Sequence, residues 1–211
     1  MTVGTPRQAM LAACVATSET RVMKTREPSY LKHHFLIAMP HMADPNFAHS
    51  LIYLVDHNEQ GAMGLVINQP NGLNLADVLE QLRPGRPVAE HCRHLQIMTG
   101  GPVQTERGFV LHPAGQTFQA TLDLGELALS TSQDILFAIA DHSGPDRYLI
   151  ALGYAGWGPG QLESELADNA WLSCPVDQAI IFDLPCEQRL HAAARHLGVD
   201  LALLARQAGH A

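Results

Sequence analysis

The chain has 211 residues, 46% hydrophobic and 16% charged, with 13 Lys and Arg against 21 Asp and Glu for a formal net charge of -8. That length suits one domain with a substantial core, and that composition excludes an intrinsically disordered chain or a coiled coil. The acidic balance argues against a broad phosphate-neutralising surface, and no apolar run approaches the ~20 residues that span a bilayer, so a soluble protein with no membrane partner is expected.

Residues 1–22 carry a short apolar run at 9–16 behind Arg7, too mixed for a signal peptide and without a clear A-x-A cleavage site. Met23 opens M-K-T-R-E-P, a natural cytosolic start, so residues 1–27 are read as a disordered or untranslated extension and 28–211 as one domain. Cys14, Cys92, Cys174 and Cys186 are scattered and form no C-x-x-C pair, which points to reduced thiols in a cytoplasmic protein.

Residues 30–39 (YLKHHFLIAM) end in an apolar strand stopped by Pro40, and Asp44-Pro45 marks a turn in the following loop. The uninterrupted run 51–55 (LIYLV) predicts a central strand buried on both faces, joined through DHNEQG to a hairpin partner at 62–68. Pro70-Asn71-Gly72 predicts a turn, and Asn74 a helix cap ahead of Leu75, Val78, Leu79 and Leu82 at helical spacing. Further strands are expected at 95–98, 108–111 and 117–122, then a capping box at 130–134 before the buried helix ILFAIA. Residues 148–154 read as an apolar strand, 153–160 (GYAGWGPG) as a glycine-rich loop, and QLESELADNA as a helix. A last strand is expected at 179–182, then a helix opened by Asp183, Pro185 and Glu187 and closed by Gly198, with a short final helix capped by Asp200. Hairpins outnumber strand–helix–strand crossovers, which gives a single α+β domain with a mixed sheet.

Four blocks carry a family resemblance: HHFLIAMPHMADPNFAHSLIYLVDHNEQGAMGLVINQP (33–70), GGPVQTERGFVLH (100–112), STSQDILFAIA (130–140) and GYAGWGPGQLESEL (153–166). Together they resemble the AlgH/YqgE family. The resemblance implies a strongly bent, forked mixed sheet forming a partial barrel with flanking helices. It also implies a part in regulating alginate genes, a genetic role that carries no mechanism. Residues 1–22 lie outside it.

Chemistry is sparsely signalled. The segment from Ala194 to Leu201 resembles the turn of a helix-turn-helix, with Gly198 at the turn and Val199 and Leu204 buried. Its recognition helix would carry Arg206 as the sole fixed positive charge, and Gln207 where an apolar residue belongs. That is a poor inventory for groove readout, so an αα-hairpin is favoured and sequence-specific nucleic-acid binding stands as the alternative. His33, His34, His41, His57 and the His91-Cys92-Arg93-His94 cluster lack zinc-ligand spacing, so no metal and no cofactor is assigned. There is no G-x-S-x-G and no cysteine in an activating motif, so no catalytic residue is assigned and a small-molecule hydrolase or transferase is the third reading. Asp44, Asp56, Glu59, Glu163 and Glu165 supply acid–base groups in name only.

In the loop 153–160 the glycines run G-x-x-G-x-G-x-G, no Lys-Ser/Thr follows, and Glu163 and Glu165 occupy the helix opening, so a phosphate cradle is disfavoured. Trp157 is either a packing plug or an aromatic anchor. Loops collect binding residues, so 41–46, 56–59 and 153–160 form the candidate surface. Its members are Asp44, His57, Asn58, Glu59, Asn68, Trp157 and Gln161, suited to a protein partner or a neutral polar ligand. For Asn58, Glu59 and Asn68 the competing reading is hairpin geometry.

Overall fold

The computed structural model describes residues 30–201, 203 and 204. The first strand, β1 (His34–Ala38), is the apolar run ahead of Pro40, and β2 (Leu51–Asn58) and β3 (Gly61–Val66) form the expected hairpin. β4 (Pro70–Asn74) leads directly into α1 (Leu75–Leu82). Asn74 closes a reciprocal capping box there: its side chain accepts from Asp77 N at 3.1 Å and its own N–H donates to the Asp77 carboxylate at 2.9 Å. A short 3-10 turn at Glu90–His94 precedes β5 (Gln96–Thr99), β6 (Val103–Pro113), β7 (Thr121–Asp123) and β8 (Leu127–Ser130). Then come α2 (Asp134–Ala140), β9 (Leu149–Trp157), α3 (Gln161–Ala167), β10 (Trp171–Pro175), α4 (Gln178–Phe182) and α5 (Cys186–His196).

The strands run β10-β1-β2-β3-β9-β6-β8-β7 in antiparallel pairs, curled into a half-barrel, with β4 and β5 branching off and β5 parallel to β9. The branch lies within β9. Its first half, Ile150–Leu152, pairs with β5 on one side and β6 on the other, while Ala155–Trp157 pairs with β3. Gly100, Gly101 and Gly153 meet at the fork, where a Cβ on any of them would collide with the opposing backbone. Here glycine is required by close approach, with Gly153 also at φ 73°.

Both sheet faces are covered. On one, Phe35, Ile37, Tyr53, Leu65, Phe109 and Leu111 pack with Leu190 and Ala194 of α5. On the other, Leu36, Ile52, Leu54, Val66, Trp157 and Trp171 pack under α3, and a separate cluster of Ile97, Val110 and Ile150 packs under α1 and α2. Burial on two faces explains why β1 and β2 read as continuous apolar runs instead of alternating ones.

Several local expectations change. Pro70–Asn74 is a bulged strand, not merely a turn, because β5 supplies a pairing edge. Of residues 117–122 only the last two are strand; Phe118 N–H is taken by the Thr121 hydroxyl in a turn, so alternation there misled. Ser132 does not cap α2, since its hydroxyl accepts from Ala120 N and the Asp134 carboxylate from Gln119 N. The glycine-rich stretch continues β9 through Trp157, leaving only residues 158–160 as turn. Residues 179–182 are helical, with Asp177 as cap, and the strands β8 and β10 were not anticipated. After α5, Gly198 takes φ 71° and Leu204 packs on the α5 side of the core, as an αα-hairpin would. Residues 1–27, Arg206 and Gln207 lie outside the described residues.

Candidate functional site

The seven residues of the candidate surface separate into three groups. Asn68 works at the start of β2: its side-chain oxygen accepts from Leu51 N at 2.7 Å and its amide donates to His49 O at 2.9 Å. Asn58 and Glu59 sit at the far end of β2, roughly 23 Å along the strand. There the Asn58 side chain bonds Gln60 N and Asp56, which is hairpin geometry, and Glu59 is exposed. Asp44 holds its own loop through Asn46 N and the Asn46 amide, both at 2.9 Å. His57, Trp157 and Gln161 converge on α3.

Beneath α3 the carboxylate of Glu165 is the organising group. One oxygen accepts both indole N–H groups, Trp157 at 2.9 Å and Trp171 at 2.7 Å; the other accepts the Gln161 amide at 2.9 Å. Gln161 in turn accepts from Gly158 N at 3.1 Å, closing the turn between β9 and α3. Phe47 stacks on Trp157 and meets Trp171 edge-on, which ties in the loop after β1. Both indoles are buried, so Trp157 is a packed pillar rather than an exposed anchor. His57 is buried too: its Nδ1 accepts from Leu31 N at 2.9 Å, which puts the ring proton on Nε2, 3.0 Å from Glu163. Glu163, Glu165, Trp171 and Phe47 were missed as a unit because they come together only across sheet and helix.

A second feature had no sequence signal at all. A cleft of about 170 Å³ opens between α1, α2 and the sheet, walled by Val78, Leu82, Val110, Leu136, Ile150 and Leu152. Residues 131–133 (Thr-Ser-Gln) form its polar end, and Glu106 is the only ionisable residue in its lining. Gly108 lies in its floor, where an added Cβ would meet nothing within 4 Å, so the missing side chain leaves the space open. Behind the polar end, His112 and Ser130 are fully buried on adjacent strands. His112 Nδ1 faces Pro113 O at 2.9 Å and its Nε2 faces Ser130 Oγ at 3.0 Å. A carbonyl can only accept, so the proton sits on Nδ1 and Ser130 donates to Nε2. Thr121 Oγ1 lies 2.8 Å from Ser130 Oγ and completes the chain. Burial lowers the His112 pKa and keeps the ring neutral, while the bond to Pro113 works the other way.

The sequence profile of the AlgH-like family, DUF179, matches residues 35–202. The chain belongs to the AlgH-like family. It is 69% identical over 189 residues to the UPF0301 protein AlgH of Pseudomonas aeruginosa and equally to a UPF0301 protein of Stutzerimonas stutzeri, in each case over 90% of this chain and all of the relative. The solution structure of P. aeruginosa AlgH superposes with a TM-score of 0.74, covering 90% of this chain and 100% of that one. A crystal structure from Corynebacterium diphtheriae, 20% identical with a TM-score of 0.64 over 83% of this chain and 91% of its own, shares the fold. Among the described residues of this AlgH-like chain no His/Cys/Asp/Glu cluster could hold a metal ion, and no helix is long and apolar enough to cross a membrane. Cys92, Cys174 and Cys186 are free thiols.

Proposed function

We propose that this protein is a cytosolic, regulatory binding protein whose ligand is a small, uncharged, mostly apolar molecule held in the cleft under α1 and α2. The observation that carries this reading is the cleft itself: apolar walls, a contiguous run of hydrogen-bonding side chains at 131–133, and a glycine in the lining whose Cβ position is open. Glu106 in the lining repels an anionic ligand. Wider hollows exist, such as one of about 550 Å³ between α5 and the residues after it, but that one is lined by the charged Arg195 and Asp200 beside the chain reversal at Gly198. On this reading His57, Trp157 and Gln161 anchor α3, and the regulatory role follows the family resemblance.

Gly108→Val tests the reading without disturbing the backbone, since Gly108 is not in the left-handed region and its Cβ site is open. Wild type and variant are screened by thermal shift and ligand-observed NMR against neutral esters, amides and alcohols of four to six carbons. Binding by the wild type, lost in a Gly108→Val protein melting within a few degrees of it, is expected. Failure of every compound to distinguish the two proteins overturns the reading.

A further inference from the structure

We infer that the pocket between the C-terminal ends of α1 and α2 is a second binding site, taking a small carboxylate with an apolar body through Arg83 and Arg86. The pocket has a volume of about 370 Å³, and its lining includes Leu79, Arg83, Arg86, Val88, Phe137 and Asp141. It shares no lining residue with the cleft: Val78 and Leu82 of α1 line the cleft, whereas Leu79 and Arg83 line this pocket. The inference is therefore independent of what the cleft binds.

Two features make the arginines a built pair. Residues Arg83-Pro84-Gly85-Arg86 form a turn closed by Arg86 N to Arg83 O at 3.2 Å, with Gly85 at φ 80°. Pro followed by Gly suits such a turn, which brings its first and fourth Cα atoms within about 7 Å of each other. The Arg83 guanidinium is also held 3.3 Å above the Phe137 ring, which fixes the cation in place. The neighbouring carboxylates are engaged elsewhere: Glu80 and Glu90 pair with Arg93 at 3.3 and 3.6 Å. Among the described residues neither Arg83 nor Arg86 forms an ion pair, in a chain with 21 acidic residues against 13 basic ones. Both arginines are exposed, so a ligand reaches them directly from solvent.

The lining sets the class of ligand. Two guanidinium groups on one pocket match the two oxygens of a carboxylate through charge-assisted hydrogen bonds. Asp141 places an opposing charge in the same lining, which favours a monoanion over a phosphate dianion. Leu79, Val88, Phe137 and Ala140 supply apolar surface for the rest of the molecule. A volume of about 370 Å³ is that of roughly twelve water molecules, which admits a ligand on the order of ten non-hydrogen atoms. The C-terminal ends of two helices oppose an anion here. On α2, however, the carbonyls of residues 137–139 are already bonded to N–H groups of residues 141–144, and a helix end acts through screened partial charges while the guanidinium contacts are direct.

The test titrates 3-phenylpropionate, with the neutral 3-phenylpropionamide beside it, into the nitrogen-labelled full chain and follows backbone amide shifts by NMR. Saturable shifts centred on residues 79–89 and 137–141 are expected for the carboxylate and none for the amide. Affinity should fall roughly tenfold in Arg83→Gln and in Arg86→Gln, rise in Asp141→Asn, and weaken with added salt. Arg86 forms no ion pair, so Arg86→Gln keeps the test decisive even if Arg83→Gln loses its contact with Phe137 and fails to fold. No saturable shift with the carboxylate, equal affinity for the amide, undiminished affinity in Arg86→Gln, or shifts confined to the cleft residues 131–133 would each overturn the inference.

Discussion

Removing the Glu165 carboxylate should be the most damaging single change near α3. In Glu165→Ala the indole N–H groups of Trp157 and Trp171 lose their acceptor, and both side chains are buried. A buried donor left unpaired costs about 1–3 kcal/mol, so the two together predict a loss of about 2–5 kcal/mol after the half-buried position of Glu165 lets some water in. For a domain of this size each kcal/mol moves the melting temperature by about 2–4 °C, which places Glu165→Ala roughly 4–20 °C below wild type. Glu165→Gln keeps an oxygen for the indoles but turns an amide toward Gln161, so it should fall between. The chain has 2 tryptophans and both report on this carboxylate. Urea unfolding followed by tryptophan fluorescence and by far-ultraviolet circular dichroism therefore reads the local and the global transition in one sample. A Glu165→Ala protein within about 0.5 kcal/mol of wild type would show that water satisfies the indoles, and would refute the clamp as a source of stability.

Asn74→Ala removes one side of the capping box on α1 and should cost about 1 kcal/mol in urea unfolding; a neutral result would mean that the Asp77 bond suffices. His112 adds an acid-side dependence. Burial depresses its pKa below 6.5 in the folded state, so the unfolded chain binds the proton more readily. The corresponding stability is present above pH 6.5 and is lost as the pH falls toward the folded pKa. Unfolding free energies measured from pH 7.5 to 4.5 should decline less steeply in His112→Gln than in wild type, and parallel curves would contradict the assignment.

The sequence carried those elements whose own residues determine them. The apolar runs of β1 and β2, the hairpin to β3, the Asn74 cap and the Gly198 terminator all rest on contacts or dihedrals a few residues long. Elements fixed by distant partners were misread. Residues 179–182 have strand-like composition, yet Asp177 caps them into α4 and Ile180 and Ile181 pack into the core. The glycines of 153–160 suggested a loop because glycine marks turns, whereas Gly153 and Gly156 lie within β9, where backbones approach closely at Gly153. Sites followed the same rule. Asn58 plays the local turn role its residue type suggests, while the bonds of Asn68 to His49 and Leu51, the Glu165 clamp and the His112–Ser130 pair join residues that no short motif links.

The pairing of β1 with β10 has a consequence for how the chain reaches this state. Their partners lie more than 130 residues apart in sequence, and β9, which joins both branches of the sheet, also comes late. During synthesis the β1–β2–β3 meander therefore waits with an unpaired β1 edge and with β3 lacking its β9 neighbour until the last third of the chain emerges. Closure over such separations is slow, and an open apolar edge is a template for pairing with other chains. Chains truncated before Trp171 should consequently be lost to aggregation, even though every residue of β1, β2 and β3 is present.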